Sequence, residues 1–441
     1  MDLVIARPQG LYCRAGDFYI DPWRPVARAV ITHAHGDHAS RGHGHYLAST
    51  PSETVLRSRL GDIALQTLSY GESVKIGDAT VSLHPAGHVL GSAQVRIAAR
   101  GQVWVASGDY KLAPDPTCTP FEPVRCDTFI TESTFGLPLY RWPAAETVAQ
   151  DIAAWWQANA NAGRASVLYC YSFGKAQRLL AMLERAGPLP GPIFCHGAVE
   201  VLNDAYRDSG VALPETARVP LAAARGAAVA AYRQALIVAP PSAAGSTWLR
   251  RFGDYSDGFA SGWMLVRGAR RRRGVDRGFV LSDHADWPDL NRAIGATGAE
   301  RIIVTHGQVA PLVRWLREQG LEADAFRTEY GGEEEYEGKE EAGSATSAAT
   351  PAADDAATAG AMEQATTGRP AIGAATSDDD LATRRVPVAA RAADGSGDEP
   401  VPGTGIESAS ATGNAGEAGE AATRDDGRPR GKTRRSPRGN A

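Results

Sequence analysis

Apolar residues in the first 135 positions come in short alternating or continuous runs, broken by Gly, Pro and Asp. Such runs predict β-strands at 17–21, 80–84, 93–98 and 102–106, and a buried strand over Ala29-Val30-Ile31. A helix is expected over 53–65, behind the start signal Thr50-Pro51-Ser52. From about residue 144 the period becomes helical, with Ile152, Trp155 and Trp156 on the apolar side. Strands at 166–170, 192–195 and 235–239 then alternate with helices at 175–186 and 199–209, which predicts an α/β unit with a parallel sheet. Two more apolar strands, 279–281 and 301–304, return to the style of the first region. The simplest organisation is a β-rich domain at 1–140, an α/β unit at 141–278 and a completion of the first domain at 279–332. No internal repeat is present.

Composition changes this picture only at the end. From residue 333 the chain turns to Ala, Gly, Thr, Ser, Asp and Glu, with Tyr336 as its only aromatic residue. Too little apolar surface is available there to offset the entropy of ordering, so 333–441 is expected to be a disordered low-complexity tail. It holds 12 of the 46 basic and 20 of the 51 acidic residues, which leaves the first 332 residues at +3 although the whole chain is at −5. Its last stretch, 428–438, is basic: a solvated end, or a weak salt-sensitive tether to nucleic acid. Five cysteines without paired spacing point to reduced thiols. The N-terminus has no basic and apolar leader, and no apolar run is long enough to span a bilayer, so the expectation is a soluble cytoplasmic protein without a membrane partner.

The chemistry concentrates at strand ends. Ile31-Thr32-His33-Ala34-His35-Gly36-Asp37-His38 packs four metal-binding side chains into six residues behind a buried strand. Neutral imidazole and carboxylate suit a divalent ion such as zinc, and the Asp among histidines allows a second ion nearby. Other predicted strands or turns end in Asp21, His88, Asp109, Glu132, His284 and His306. Ligands placed just past strand ends converge on one rim of a sheet assembly. The remaining histidines have ordinary explanations: His43 and His45 in an exposed loop, His84 in a strand, His196 in a turn or at a substrate contact.

This layout resembles the metallo-β-lactamase fold, an αββα sandwich with a two-metal site between its sheets. Glu132 in Thr131-Glu-Ser-Thr-Phe-Gly136, His284 in Ser282-Asp-His-Ala-Asp286 and His306 in Thr305-His-Gly307 look like the additional motifs of the β-CASP nucleases, whose α/β domain is inserted into that sandwich. Segments such as Tyr19-Ile-Asp-Pro-Trp-Arg-Pro25, Ser107-Gly-Asp-Tyr-Lys111 and Gly174-Lys-Ala-Gln-Arg178 are similar to the bacterial DNA ligase-associated exonucleases. The resemblance covers roughly residues 3–330. It implies one metal on His33, His35 and His88, another on Asp37, His38 and His306, and Asp109 bridging them. Asp37 counts as both ligand and catalytic residue, and Asp21 as a carboxylate that orients a ligand histidine. Two such ions, zinc or manganese, activate water and stabilise charge on the attacking and leaving oxygens. His284 is then the general acid, held in its tautomer by Glu132.

Substrate contacts are expected in the α/β unit. Ser172, Gly174 and Lys175 open a predicted helix, where free backbone N–H groups suit a phosphate. Arg267, Arg270, Arg271, Arg272 and Arg273 form the densest positive run of the first 332 residues and suit a polyanion. Tyr140, Trp142, Trp248 and Trp263 offer faces for unpaired bases, with core packing as the commoner role. The resemblance favours an exonuclease on DNA ends, working with an ATP-dependent DNA ligase and a helicase in repair. The alternatives are an RNA-processing nuclease like RNase J, a small-molecule metallo-hydrolase and a non-catalytic scaffold. One position favours RNA: Artemis-type DNA nucleases carry valine where this chain has His306, and the RNA-cleaving branch carries histidine.

Overall fold

The structure is a computed structural model that describes residues 2–220 and 227–328. The expected tail at 333–441, with its basic end, lies outside the described residues. The first sheet runs in chain order through β1 (Val4–Arg7), β2 (Gly10–Cys13), β3 (Phe18–Ile20), β4 (Arg28–Val30), β5 (His45–Ser49) and β6 (Leu65–Leu68). Helix α1 (Glu53–Leu60) lies between its last two strands. It is shorter than predicted because Gly61 takes φ +74° and turns the chain out of the helix. The second sheet begins with β7 (Ser73–Ile76), β8 (Ala79–Pro85), β9 (Ala93–Ala99), β10 (Gln102–Ala106) and β11 (Thr128–Thr131).

The chain then leaves that sheet through helix α2 (Ala145–Asn161). A third sheet follows, made of β12 (Ala165–Tyr169), β13 (Ile193–Cys195), β14 (Ala217–Arg218), β15 (Leu236–Ala239), β16 (Tyr255–Ala260) and β17 (Arg277–Phe279). All its strands are parallel, in the order β14-β13-β15-β12-β16-β17. Helices α3 (Lys175–Ala186), α4 (Gly197–Asp208), α5 (Ala227–Ala230) and α6 (Arg267–Arg273) connect them. Helix α7 (Trp287–Thr297) leads to β18 (Arg301–Val304), α8 (Val309–Glu318) and β19 (Glu322–Ala325), which finish the second sheet. One expectation is corrected here. The strand placed at 279–281 is Arg277–Phe279, and it pairs with β16 in the third sheet rather than returning to the earlier ones.

Alternation along each strand explains the cores. Val30 faces one way with Phe18, Leu47, Val81, Val95 and Trp104, in a cluster shared by the first two sheets. Its neighbours Ala29 and Ile31 face the other way, against Val55 and Leu56 of α1 and Tyr206 of α4. Trp104 and Val105 divide in the same manner, and Val105 packs with Leu290 and Ile294 of α7 and Leu312 of α8. Each fully buried aliphatic or aromatic side chain of this kind contributes about 1.5–3 kcal/mol. In the third sheet, Leu168 packs with Trp156 and Leu180 on one face, and Val167 with Phe252 on the other.

The register sets up one chemical rim. Strands β10, β11 and β18 are parallel neighbours, with Ala106 opposite Ile130 and Thr131 opposite Val304, so their carboxyl ends lie side by side. Strands β3 and β4 are parallel as well, with Ile20 opposite Val30. Among the described residues no helix is long and apolar enough to cross a membrane.

All five cysteines are free thiols, three buried and two partly so. Burial raises the thiol pKa of each, to about 12 for Cys126 and Cys170. In the native protein at pH 8 all five should therefore react with a chromogenic disulfide reagent far more slowly than in 6 M guanidinium. Reaction at the denatured rate would contradict this packing.

Candidate metal centre

The strand ends deliver their side chains to one point. Asp21 follows β3 with φ +42°, a left-handed conformation rarely taken by non-glycine residues. Its carboxylate accepts from Thr32 N–H (2.8 Å), from Thr32 Oγ1 (2.6 Å) and from His38 Nδ1 (2.7 Å). His38 therefore carries its ring proton on Nδ1 and turns Nε2 inward. That Nε2 is buried with no hydrogen-bond partner, 3.3 Å from Asp109 Oδ2 and 3.6 Å from Asp37 Oδ2. A lone pair so placed is what a cation needs.

Asp109 reaches this point because Gly108 takes φ +56° and packs on Thr32, where a Cβ would stand 2.6 Å from the threonine Cβ. Its Oδ2 lies 3.6 Å from His33 Nε2 and 3.9 Å from His88 Nε2, as well as beside His38. His35 Nδ1 stands 3.0 Å from His33 Nε2 and 3.1 Å from His88 Nε2. The outer nitrogens are occupied: His88 Nδ1 faces the Asp283 carbonyl at 2.9 Å, and His35 Nε2 faces that of Phe173 at 3.2 Å. His33, His35, His88 and Asp109 each offer a ligand atom, all within 4.8 Å of one another. His306 stacks on His38 with ring centroids 5.4 Å apart. It sits in a left-handed turn (φ +51°) whose next residue, Gly307, must lack a side chain, since a Cβ there would lie 2.4 Å from the Thr134 backbone. A small cavity of about 30 Å³ is lined by Asp21, Asp37, His38 and His306 among others.

Electrostatics agree with a cation-binding role. Burial, and then the neighbouring imidazoles, hold His33, His35 and His306 below the usual histidine range and push His88 down to about 3. These rings are neutral, as ligands must be. At His38 burial opposes the charge, but Asp109, Asp37 and Asp21 outweigh it and raise the pKa. Burial works against the Asp109 carboxylate too, yet His38 and His284 keep it well below the carboxylate range. The donors of His33, His35, His88 and Asp109 therefore fit a divalent ion, and Asp109 also groups with Glu132 and His284. Asp37, His38 and His306, expected around a second ion, lie beside them.

Glu132 and His284 form a second element against this cluster. His284 Nδ1 stands 2.8 Å and 3.1 Å from the two Glu132 oxygens, and Glu132 Oε1 also accepts from Tyr110 N–H at 2.8 Å. The His284 ring lies 4.6 Å from that of His88. Phe135 touches His284 at 5.9 Å between centroids and gathers Tyr140, Trp142 and Trp263 around it. Trp142 Nε1 donates to the His284 carbonyl.

Several expected contacts take other roles. The Ser172–Gly174–Lys175 helix start is not a phosphate cradle. Gly174 N–H donates to Gln177 Oε1 and Lys175 N–H to the Phe173 carbonyl, while Ser172 is buried and its carbonyl accepts from Gln177. The Lys175 side chain is 0% exposed, with its ammonium 3.8 Å from Asp283 and 4.3 Å from the Tyr171 ring centre. Gly174 is needed for close packing, since a Cβ there would meet Val89 at 2.2 Å. His43 is buried too, its Nδ1 accepting from Val26 N–H. Trp248 packs edge-to-face with His196 and Phe252 rather than standing free. The arginine run is a short helix, α6, on which Arg267, Arg270, Arg271 and Arg272 are exposed and Arg273 lies over Phe259. Sequence reasoning missed Thr32, Lys111, Arg178 and Asp283 as supports of the site. The available signal was charge on the core-facing stripe of α3, where Lys175 and Arg178 share a side with Leu179 and Met182.

No protein-family model matches the chain. Among curated proteins it is 32% identical over 321 residues to "Probable DNA ligase" of Opitutus terrae, a match that covers 72% of this chain and 30% of that protein. It is also 32% identical to "Transcription termination factor FttA" of Thermococcus kodakarensis (30% of this chain, 22% of that protein) and to "Endoribonuclease ysh1" of Emericella nidulans (27% and 14%). The chain thus spans less than a third of the length of these relatives. Histidines and carboxylates converging at strand ends define a protein of the metallo-β-lactamase class. With these relatives alongside, the chain belongs more particularly to its β-CASP family.

Removing the Asp21 carboxylate frees the His38 ring and its tautomer. Asp21→Ala should weaken the metal on the His38 side by roughly 10–100-fold, read by competition with a chromophoric chelator. Unchanged affinity would reduce Asp21 to a turn residue.

Proposed function

We propose that this protein hydrolyses phosphodiester bonds with two bound divalent ions, as an exonuclease on DNA ends. The observation that carries the reading is the Glu132–His284 pair set against the ligand cluster, 2.8 Å apart and almost wholly buried. A phosphodiester expels a poor alkoxide leaving group and benefits from a positioned acid. Hydrolysis of an activated ester or lactone has less need of one. When bound, the two ions supply an activated water and neutralise phosphate charge. Glu132, fixed by Tyr110 N–H, stabilises the protonated His284 ring and orients it. His284 then hands its Nε2 proton to the leaving oxygen. Zinc is the proposed metal because the ligands are mostly imidazoles, while manganese also tolerates the carboxylates.

In this reading the first two sheets, with their shared core, are the layers of an αββα sandwich. Residues 141–278 are the β-CASP insertion, and 279–332 complete the sandwich. The exposed arginines of α6 suit the substrate backbone. The proposal includes a cytoplasmic repair role alongside a ligase and a helicase; the name "Probable DNA ligase" on the Opitutus relative supports the ligase link alone. A second reading, RNA processing, is favoured by His306 itself and by the name of the Emericella endoribonuclease.

Asp109→Ala should abolish cleavage and reduce bound metal. His284→Ala should lower cleavage by roughly 10²–10⁴-fold while both metals stay bound. Metal loss in the His284 variant would make that residue a ligand instead of the acid. Matched end-labelled DNA and RNA oligonucleotides, digested side by side with added Zn²⁺ or Mn²⁺, decide the substrate. Stepwise shortening of DNA with RNA intact supports the exonuclease. Preferential loss of RNA supports the second reading, and intact substrates in both lanes would overturn both.

A further inference from the structure

Beside the metal centre lies a buried cluster of charges that the proposed chemistry does not use. Its focus is the segment Ser282-Asp283, which directly precedes His284. Lys111 Nζ donates to the Ser282 carbonyl at 2.6 Å, and Arg178 Nη1 donates to the same oxygen. The Asp283 carboxylate stands 3.4 Å from Arg178 Nη1 and 3.8 Å from Lys175 Nζ. Arg178 Nε lies 3.5 Å from Asp115, which also accepts from the backbone and hydroxyl of Thr117. Each of these five charged residues is at most 7% exposed. Three basic and two acidic side chains have thus been taken out of water together.

Such burial is expensive, and well-packed apolar residues often hold two elements together as well or better. Placement indicates what the cluster adds. Lys175 and Arg178 come from α3, in the part of the chain that builds the third sheet, whereas Lys111 follows β10 and Asp109 in the second. Between them they hold two consecutive residues. Asp283 presents its carbonyl to His88 Nδ1, which fixes the ring of a metal ligand. The following residue is His284, whose own N–H donates to Ser282 Oγ at 3.1 Å. A shift of Asp283 therefore moves a metal ligand and the acid together. Gly174, which starts α3, packs on Val89, the residue after His88, so the helix approaches the same ligand from a second direction.

We infer that Lys175 and Arg178 are positioning residues, and that through Asp283 they set the orientation of the His88 and His284 rings, so that docking of α3 completes the centre. This rests on the proposed function for its catalytic consequence, but the geometric claim can be tested without any nuclease assay. Full-length Lys175→Met and Arg178→Met proteins are compared with the parent by two spectroscopic readouts. In metal-free protein labelled with ¹⁵N-histidine, the Nδ1–H resonances of His88 and His284 report their bonds to Asp283 and Glu132. In protein loaded with Co²⁺ alone, the visible bands report ligand geometry. Both signatures should shift in both variants while the cobalt stoichiometry stays at two. With oligonucleotide substrate, kcat should fall roughly tenfold or more and KM stay within about twofold.

Single variants leave a buried charge uncompensated and can unfold the chain. The double variant Lys175→Met/Asp283→Asn removes one cation and one carboxylate together, leaves Arg178 beside Asp115, and supplies the second test. It should fold and still show displaced His88 and His284 signals. Native spectra in a folded double variant, with only the melting temperature changed, would overturn the inference and leave the cluster as adhesive. Spectral shifts in a protein that cleaves neither DNA nor RNA would keep the positioning role and discard the proposed function instead.

Discussion

Everything in this structure depends on a crowding that water would not tolerate. Asp109 Oδ2 has the inward nitrogens of His33, His38 and His88 within 3.9 Å, and His35 completes the ring around it. Protonated, these imidazoles would repel one another in a medium that screens poorly. Neutral, their inward lone pairs face each other with too few hydrogens to share. A divalent cation at its centre would satisfy the arrangement. Most of the surrounding structure can be understood as holding the rings in this conflict. Asp21, the Phe173 carbonyl and the Asp283 carbonyl each engage an outer nitrogen, and so leave only the inner one to face the centre.

Backbone geometry bears part of the same cost. Two of the four described non-glycine residues with positive φ, Asp21 and His306, are in the site. Each such conformation costs on the order of 1–3 kcal/mol and persists only where its surroundings over-determine it. Here the surroundings do so: Asp21 holds three hydrogen bonds to Thr32 and His38, and His306 is followed by a glycine wedged against Thr134. The glycines at 108, 174 and 307 act alike, admitting Thr32, Val89 and Thr134 where a Cβ would clash.

Much of this was legible in the sequence. The His33–His38 stretch, His88, Asp109, His306, Glu132 and His284 all converge in space, because ligands just past strand ends are a pattern that survives without coordinates. The parallel sheet was legible from its alternating periods, and α3 was placed to the residue. What failed had a common cause. Lys175 and His43 were read by their polar chemistry as groups open to substrate or solvent, whereas partners distant in sequence help to bury them. Asp283 and Val26 lie on other segments of the chain, and no local pattern announces such pairings. The strand at 277–279 was misassigned for a related reason: short apolar runs carry no mark of the sheet they will join.

The route of the chain has one more consequence. β11 and β18 are hydrogen-bonded neighbours, yet the third sheet is made between them. During synthesis the second sheet therefore waits with β11 unpaired on one side while roughly 170 residues emerge, on the order of ten to thirty seconds at ordinary translation rates. His33, His35, His88 and Asp109 are all on the nascent chain before that interval begins, whereas His284 and His306 arrive at its end. Order of appearance thus divides the centre into an early half and a late half. The residues of the early half exist long before the groups that would use them.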